Sequence, residues 1–584
     1  MNKLRYIRIA VFCAALLPVA LWGADASQPA PDAGATPAAG QFNEIERLKA
    51  QLELQQRQIR DLQVALEEQK KLIDKVATTE AATPAPSPEP EHKAPNLGDV
   101  ASTAPIIPRG VAPALPPTPL PAPPPAQAGE AAPPESPLQL RIGNTTILPI
   151  GFVDATNTWR STNSGASLAT NFGNYPYGNT VGGHLTEDKL SLQNSRVGLR
   201  FDSTFKGFHV LGYWESDFVV GAGYLSGNLG VTSNSQLFRL RLMWVDIRKG
   251  AWEVLGGQSW SMMTPNRRQI SPLPGDLFYG QEFDVNYLNG LTWGRIPGFR
   301  ILAHPSNKVT WGVSFENADQ YFGGSGGGGV PTLPGALTSL NTNQIDGGGT
   351  VTTGVASNGL GFPNVHPDII SKIAFDPSPR AHFEIAGVFD SVKIFNPNTG
   401  TALGAGQTFT KSGGGGSING NFEIFKNFRI VTNNFWSDGA GRYIFGEAPN
   451  FIIRSNGSPS LIHSGSTVDG FELTIGKSLF YAYYGGIYVG RNTALDANGT
   501  TLIGYGYTGS ASSQNRSMQE GTIGLTQTLY RDPRYGQVSF YLDYAYFWRE
   551  PWFVASGAPN QANQHAVWFD LRYTFPGSAP AIQY

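Results

Sequence analysis

Beyond about Leu138, apolar and polar residues alternate one for one in short runs. Val197, Leu199 and Phe201 alternate with Arg196, Gly198, Arg200 and Asp202. Phe238, Leu240, Leu242 and Trp244 alternate with Arg239, Arg241, Met243 and Val245. Val309, Trp311, Val313 and Phe315 are interleaved with Thr310, Gly312, Ser314 and Glu316, and Val567–Phe575 shows the same rhythm. A period of two belongs to strands with unlike faces. The connections between the runs alternate in length. Tight links are expected near Thr204–Gly207, Arg248–Ala251, His304–Asn307, Pro377–Arg380, Lys426–Asn427, Ser478–Leu479 and Arg531–Gly536. Long ones are expected near 160–188, 219–235, 258–285, 317–367, 392–416, 438–467, 491–516 and 549–563. Seven short and eight long connections join sixteen antiparallel strands, with both outer ends on the short-turn side. A β-sandwich also alternates, but this regular asymmetry predicts an all-β, sixteen-stranded transmembrane β-barrel over 138–584.

A different period precedes the strands. Ile45, Leu48, Leu52, Gln55, Ile59, Leu62, Leu66, Gln69, Ile73 and Val76 fill the a and d positions of five consecutive heptads. A 3.5-residue repeat flanked by Glu, Lys, Arg and Gln predicts a short α-helical coiled coil over 42–77, and so self-association. Residues 78–137 are Pro- and Ala-rich, with Pro-Ala-Pro-Ser-Pro-Glu-Pro at 84–90. Such a segment cannot pack a core and predicts an extended linker.

Composition agrees with the barrel. The chain has 70 Gly, 11% aromatic and only 15% charged residues, against an average near a quarter charged. No stretch after the N-terminus offers about 18 consecutive apolar residues, whereas a strand needs only alternate residues to face lipid. The N-terminus reads as a signal peptide over 1–26: Lys3, Arg5 and Arg8, an apolar run Ile9–Leu21, and Ala24-Asp25-Ala26 as the cleavage site. The single cysteine, Cys13, lies in that run, so the barrel cannot depend on disulfides. Near-neutral charge beyond the signal gives no reason to expect a nucleic-acid partner.

In a barrel of this size the lumen is wet, and its side chains set selectivity. Alternation turns Arg196, Arg200, Arg239, Arg241 and Arg572 inward, opposed by Glu215, Asp217, Glu384 and Asp390. Arginines two apart on a strand project to one face about 6.8 Å apart. They form either a ladder for anions or salt bridges that brace the wall. The third long connection, 258–285, carries Arg267, Arg268, Asp276, Glu282 and Asp284.

The order coiled coil, proline linker and barrel resembles the DcaP-like trimeric porins, as do QNSRVGLRF at 193–201, WESDF at 214–218 and GGQSWSMM at 256–263. The resemblance implies a homotrimer in the outer membrane among lipid and lipopolysaccharide, with the coiled coil in the periplasm. It also implies passage of small polar, often anionic, solutes, and a third loop that folds inward with Arg267 and Arg268 at the constriction. The phosphate-selective porins are a related alternative. A tether whose N-terminal region contacts the cell wall is another, and a barrel hydrolase a third. Enzyme signals are weak. Gly323-Gly324-Ser325-Gly326-Gly327 sits in a glycine tract rather than a strand–helix turn. Gly476-Lys477-Ser478 lacks the first glycine of a phosphate loop. The histidines show no metal-ligand spacing, so neither a metal nor a cofactor is expected.

Overall fold

The structure is a computed structural model that describes residues 137–576, except 166–167, 220–235, 273–277, 283–286, 325–327, 336–343, 347–362 and 397–405. The predicted signal peptide, coiled coil and linker through residue 136 lie outside the described residues.

Sixteen antiparallel strands close into one barrel. In chain order they are β1 (Thr145–Arg160), β2 (Arg196–Phe205), β3 (Phe208–Asp217), β4 (Arg239–Lys249), β5 (Trp252–Trp260) and β6 (Arg295–Ser306). Next come β7 (Val309–Glu316), β8 (Asp368–Ser378), β9 (Ala381–Asn396), β10 (Gln407–Phe425) and β11 (Phe428–Asp438). The last are β12 (His463–Ile475), β13 (Ser478–Val489), β14 (Asn515–Asp532), β15 (Gly536–Pro551) and β16 (Ala562–Thr574). Each pairs with its neighbours in sequence, and β1 closes the ring on β16, with Phe152 opposite Thr574. The Phe575 amide extends this seam by donating to the Gly151 carbonyl at 3.0 Å. Closure leaves no strand edge to be satisfied inside a bilayer, which is what allows strands to cross one. A short strand, Glu187–Ser191, continues β2 upward along β1, and another, Leu140–Ile142, lies against the start of β1.

The seven tight turns share one end of the barrel with the start of β1 and the end of β16. The link between β12 and β13 is Gly476–Lys477, two residues before the expected Ser478–Leu479. Gly476 takes φ 61° there, a left-handed conformation that a residue without Cβ adopts without strain. The long loops leave the opposite end; L1 to L8 denote them in chain order.

Alternation divides the wall as the pattern predicts over most strands. Phe299, Ile301, Trp311, Ile385, Phe389 and Leu571 are exposed on the outside, forming the apolar belt that suits lipid. Phe205, Phe208, Phe425, Phe428 and Tyr573 ring the short-turn end, as aromatic girdles do. One strand departs from the expectation. Opposite Glu215 and Ser216 the register of β4 shifts, so Arg241 and Leu242 both turn inward. From that bulge the phase inverts. Leu242 and Trp244, expected outside, are buried in an internal cluster with Leu211, Tyr213 and Leu255. Met243 and Val245, expected inside, are exposed at 59% and 47%.

Candidate functional site

L3, residues 261–294 between β5 and β6, folds into the barrel. The wall holds it largely by its main chain. The amide of Met262 donates to Glu316 on β7 (2.9 Å), that of Asn266 to Glu384 on β9 (3.2 Å), and that of Gln269 to Asp376 on β8 (3.0 Å). Further on, Gln281 donates to Asp543 on β15 (2.9 Å), Asn289 to Glu520 on β14 (2.8 Å) and Thr292 to Asn433 on β11 (2.9 Å). A buried amide without a partner is costly, and carboxylate acceptors make the stronger bonds. The loop is therefore pinned along its length, by its first half to β7–β9 and by its second half to β11, β14 and β15, so that it spans the lumen. Lys372 braces the first half, donating to the Thr264 carbonyl (2.8 Å) and pairing with Glu384 (2.8 Å). Gln269 sits at φ 51°, a left-handed turn held against the Asp376 bond.

Two further loops pack over L3. The L1 amide of Thr170 donates to the Glu282 carbonyl (2.9 Å), and the Trp293 amide donates to the carbonyl of Tyr443 in L6 (2.9 Å). L6 is itself fixed by Arg442, paired with Asp368 on β8 at 2.7 Å. Burial works against the Arg442 charge, but Asp368 and Tyr443 outweigh it and hold its pKa above the usual value.

The two arginines nominated for the constriction have different surroundings. Arg267 forks onto Glu472 of β12 with bonds of 3.0 and 2.5 Å, and its guanidinium lies 5.0 Å from the Tyr279 ring centre. Burial again opposes the charge, and Tyr279 and Glu472 hold the Arg267 pKa above its usual value. Arg268 is exposed and makes no ion pair with a described residue. Both line a cavity of about 410 Å³, together with Tyr279, His382, Arg429 and Glu472. Ser378 and Pro379 of the β8–β9 turn and Asn427 of the β10–β11 turn also line it, which places it at the short-turn end.

The other nominated residues fall into four groups. Arg196, Arg239, Arg241, Glu215 and Asp217 come together as one ion-paired cluster. Arg241 reaches both acids, 2.7 Å from Glu215; Arg239 lies 2.6 Å from Asp217 and Arg196 3.9 Å from Glu215. Arg200 pairs along its own strand with Asp202 at 2.6 Å, and Arg572 with Asp154 of β1 at 2.5 Å. Glu282 does not line the open cavity. It is fully buried under L1, where desolvation, with the nearby charges of Asp543 and Glu520, pushes its carboxyl well above the usual range. Asp276 and Asp284 lie outside the described residues.

Sequence reasoning missed most of the residues that grip L3: Glu316, Asp376, Glu520, Asp543 and Asn433. All occupy inward positions of their strands. The signal was their phase, a carboxylate or amide on the lumen side of strands far from L3 in sequence.

A closed sixteen-stranded barrel with tight turns at one end and its third loop folded into the lumen is the fold of the porins. The fold is similar to that of the outer membrane channel DcaP of Acinetobacter baumannii, with TM-score 0.52 and 15% identity over 74% of this chain and 98% of that one. An anion-selective porin from Comamonas acidovorans aligns with 74% of this chain and 100% of its own, at 12% identity and TM-score 0.40. OmpT of Vibrio cholerae aligns with 75% of this chain and 99% of its own, at 8% identity and TM-score 0.39. At 15% identity the likeness to DcaP is one of fold, and it meets the resemblance read from the sequence motifs at that level. No family model matches the chain, and no curated protein matches it in sequence.

Proposed function

We propose that this chain is a passive outer-membrane porin for small polar solutes, working as a homotrimer with its short turns and N-terminal coiled coil in the periplasm. The observation that carries the reading is L3, held across the lumen of a closed barrel whose outer belt is apolar. Nothing in a lipid-facing barrel needs an internal loop tied to opposite walls, whereas a channel that must be narrower than its wall does.

Charge selectivity is weak on this reading. The arginines of β2 and β4 are neutralised by Glu215, Asp217 and Asp202, and buried carboxylates outnumber buried Lys and Arg among the described residues. A phosphate-selective lumen would need cations left open to the solute. Arg268 is the nominated cation that meets this requirement, so any anion preference is concentrated there. For a barrel hydrolase, the nearest arrangement among the described residues is the chain Glu253–His304–Thr310, with contacts of 2.9 and 3.3 Å. The Thr310 hydroxyl is fully buried, where no solute reaches it. Single-channel recording of the purified protein in planar bilayers tests the proposal. Stepwise conductance with a small reversal potential in a salt gradient is expected, and an absence of conductance would sink it.

A further inference from the structure

Most of the barrel's outer wall is apolar, but the middle of the β11–β14 wall is not. Asp469 stands outward at the midpoint of the 13-residue β12. Its carboxylate accepts a hydrogen bond from Thr432 of β11 at 2.5 Å and another from Thr467. Asn434 completes the ring, donating to Thr432 at 2.7 Å, with its Oδ1 2.9 Å from the Thr467 hydroxyl, whose single proton goes to either Asn434 or Asp469. On the next strands Tyr484 donates to Gln519 at 2.8 Å. Here the wall is also hollow, a depression of about 630 Å³ floored in part by Gly465 and Gly486 and flanked by Trp436 and Tyr488.

Acyl chains offer such groups no hydrogen bonds, and a charge turned outward at mid-depth destabilises a lipid-facing barrel. Lipid headgroups and soluble proteins do not reach this depth. What covers the wall must itself cross the membrane at the same level. The heptads of residues 45–76 predict that copies of this chain associate with one another, delivering identical barrels side by side in one orientation. We infer that the β11–β14 wall faces a second copy of this chain and forms the contact between barrels. The inference rests on the reading of the barrel as a membrane channel, and it names the wall on which that channel assembles.

The mature chain has no cysteine once Cys13 is removed with the signal, so single nitroxide labels can be placed on the full-length protein. Gly521, opposite Tyr484, has open space where a Cβ would stand, and Ile301 on β6 is exposed on the apolar belt. The expectation for Gly521→Cys, labelled and reconstituted in phospholipid, is an oxygen-collision rate several-fold below that of labelled Ile301→Cys, together with dipolar broadening between copies. A label at 521 as accessible as the one at 301, without broadening, overturns the inference. Shielding without broadening also overturns it, since something other than a second copy would cover the wall. If the label at 301 is itself not in lipid, the membrane reading fails rather than the choice of wall. As a second measurement, Gly465→Trp fills the depression and should convert the oligomer on mild gels to folded monomer. An unchanged oligomer counts against the interface.

Discussion

The arginines of β2 and β4 and the arginines of L3 make an instructive pair of regions. Both are closely spaced pairs that face the inside of the barrel. On the wall, each arginine has an acid on its own or the adjoining strand, and the cluster is closed on itself. On the loop, Arg267 is tied to Glu472 while Arg268 lies open beside a cavity. An arginine facing a lumen is therefore not by that fact a selectivity residue. What decides is whether an acid stands within reach, and for the wall pairs the acids lie on the same strand or the next.

The largest expected effect breaks the contrast from the loop side. Asp376→Ala combined with Glu384→Ala removes two of the three acceptors that hold the first half of L3 and leaves only Glu316. The loop should lift from that wall and single-channel conductance should rise by roughly a factor of two or more; unchanged conductance would show that L3 does not limit flow. Next, Arg241→Ala leaves Glu215 and Asp217 with less compensation in a buried cluster. A loss of about 3–5 kcal/mol is expected, read by urea unfolding in detergent, with conductance little altered. If stability holds and ion selectivity moves instead, the wall arginines belong to the solute path after all. Arg268→Glu should do the opposite: shift the reversal potential toward cations while stability stays within about 0.5 kcal/mol.

The smallest effect concerns L4. Burial, with Asp346 nearby, raises the Asp319 carboxyl to about 7 despite the opposing Arg442 charge. A carboxyl raised in the folded state contributes stability that is present at low pH and lost as pH rises through its folded pKa. Packing of L4 should thus loosen between about pH 4 and pH 7, followed by proteolysis at its described flanks. Asp319→Asn should remove that dependence, and a persisting pH profile would assign it to another group.

Much of the barrel was legible because its signals are local. Strand phase, turn glycines and loop length each lie within a few residues, and Val309–Glu316 could be divided into its two faces by inspection. The inversion in β4 was not legible, because a bulge is set by pairing: Arg241 and Leu242 share a face only against the register of β3. In the site, the inward course of L3 was expected from the resemblance alone. Its anchors were hidden for a related reason, since Asn266 meets Glu384 across 118 positions of sequence and Asn289 meets Glu520 across 231. Glu282 was misplaced because an acidic loop residue reads as solvated until another loop is seen to cover it.

The way L3 is gripped has a consequence for how such a barrel can change over time. Six wall side chains hold the loop by its peptide N–H groups, which every residue but proline supplies. The barrel is thus a socket indifferent to most of what the loop spells. Residues such as Arg268 can be exchanged without disturbing the seat, whereas the distant acids that form it cannot. Mutational drift should therefore alter the exposed residues of the loop faster than the way the loop is seated.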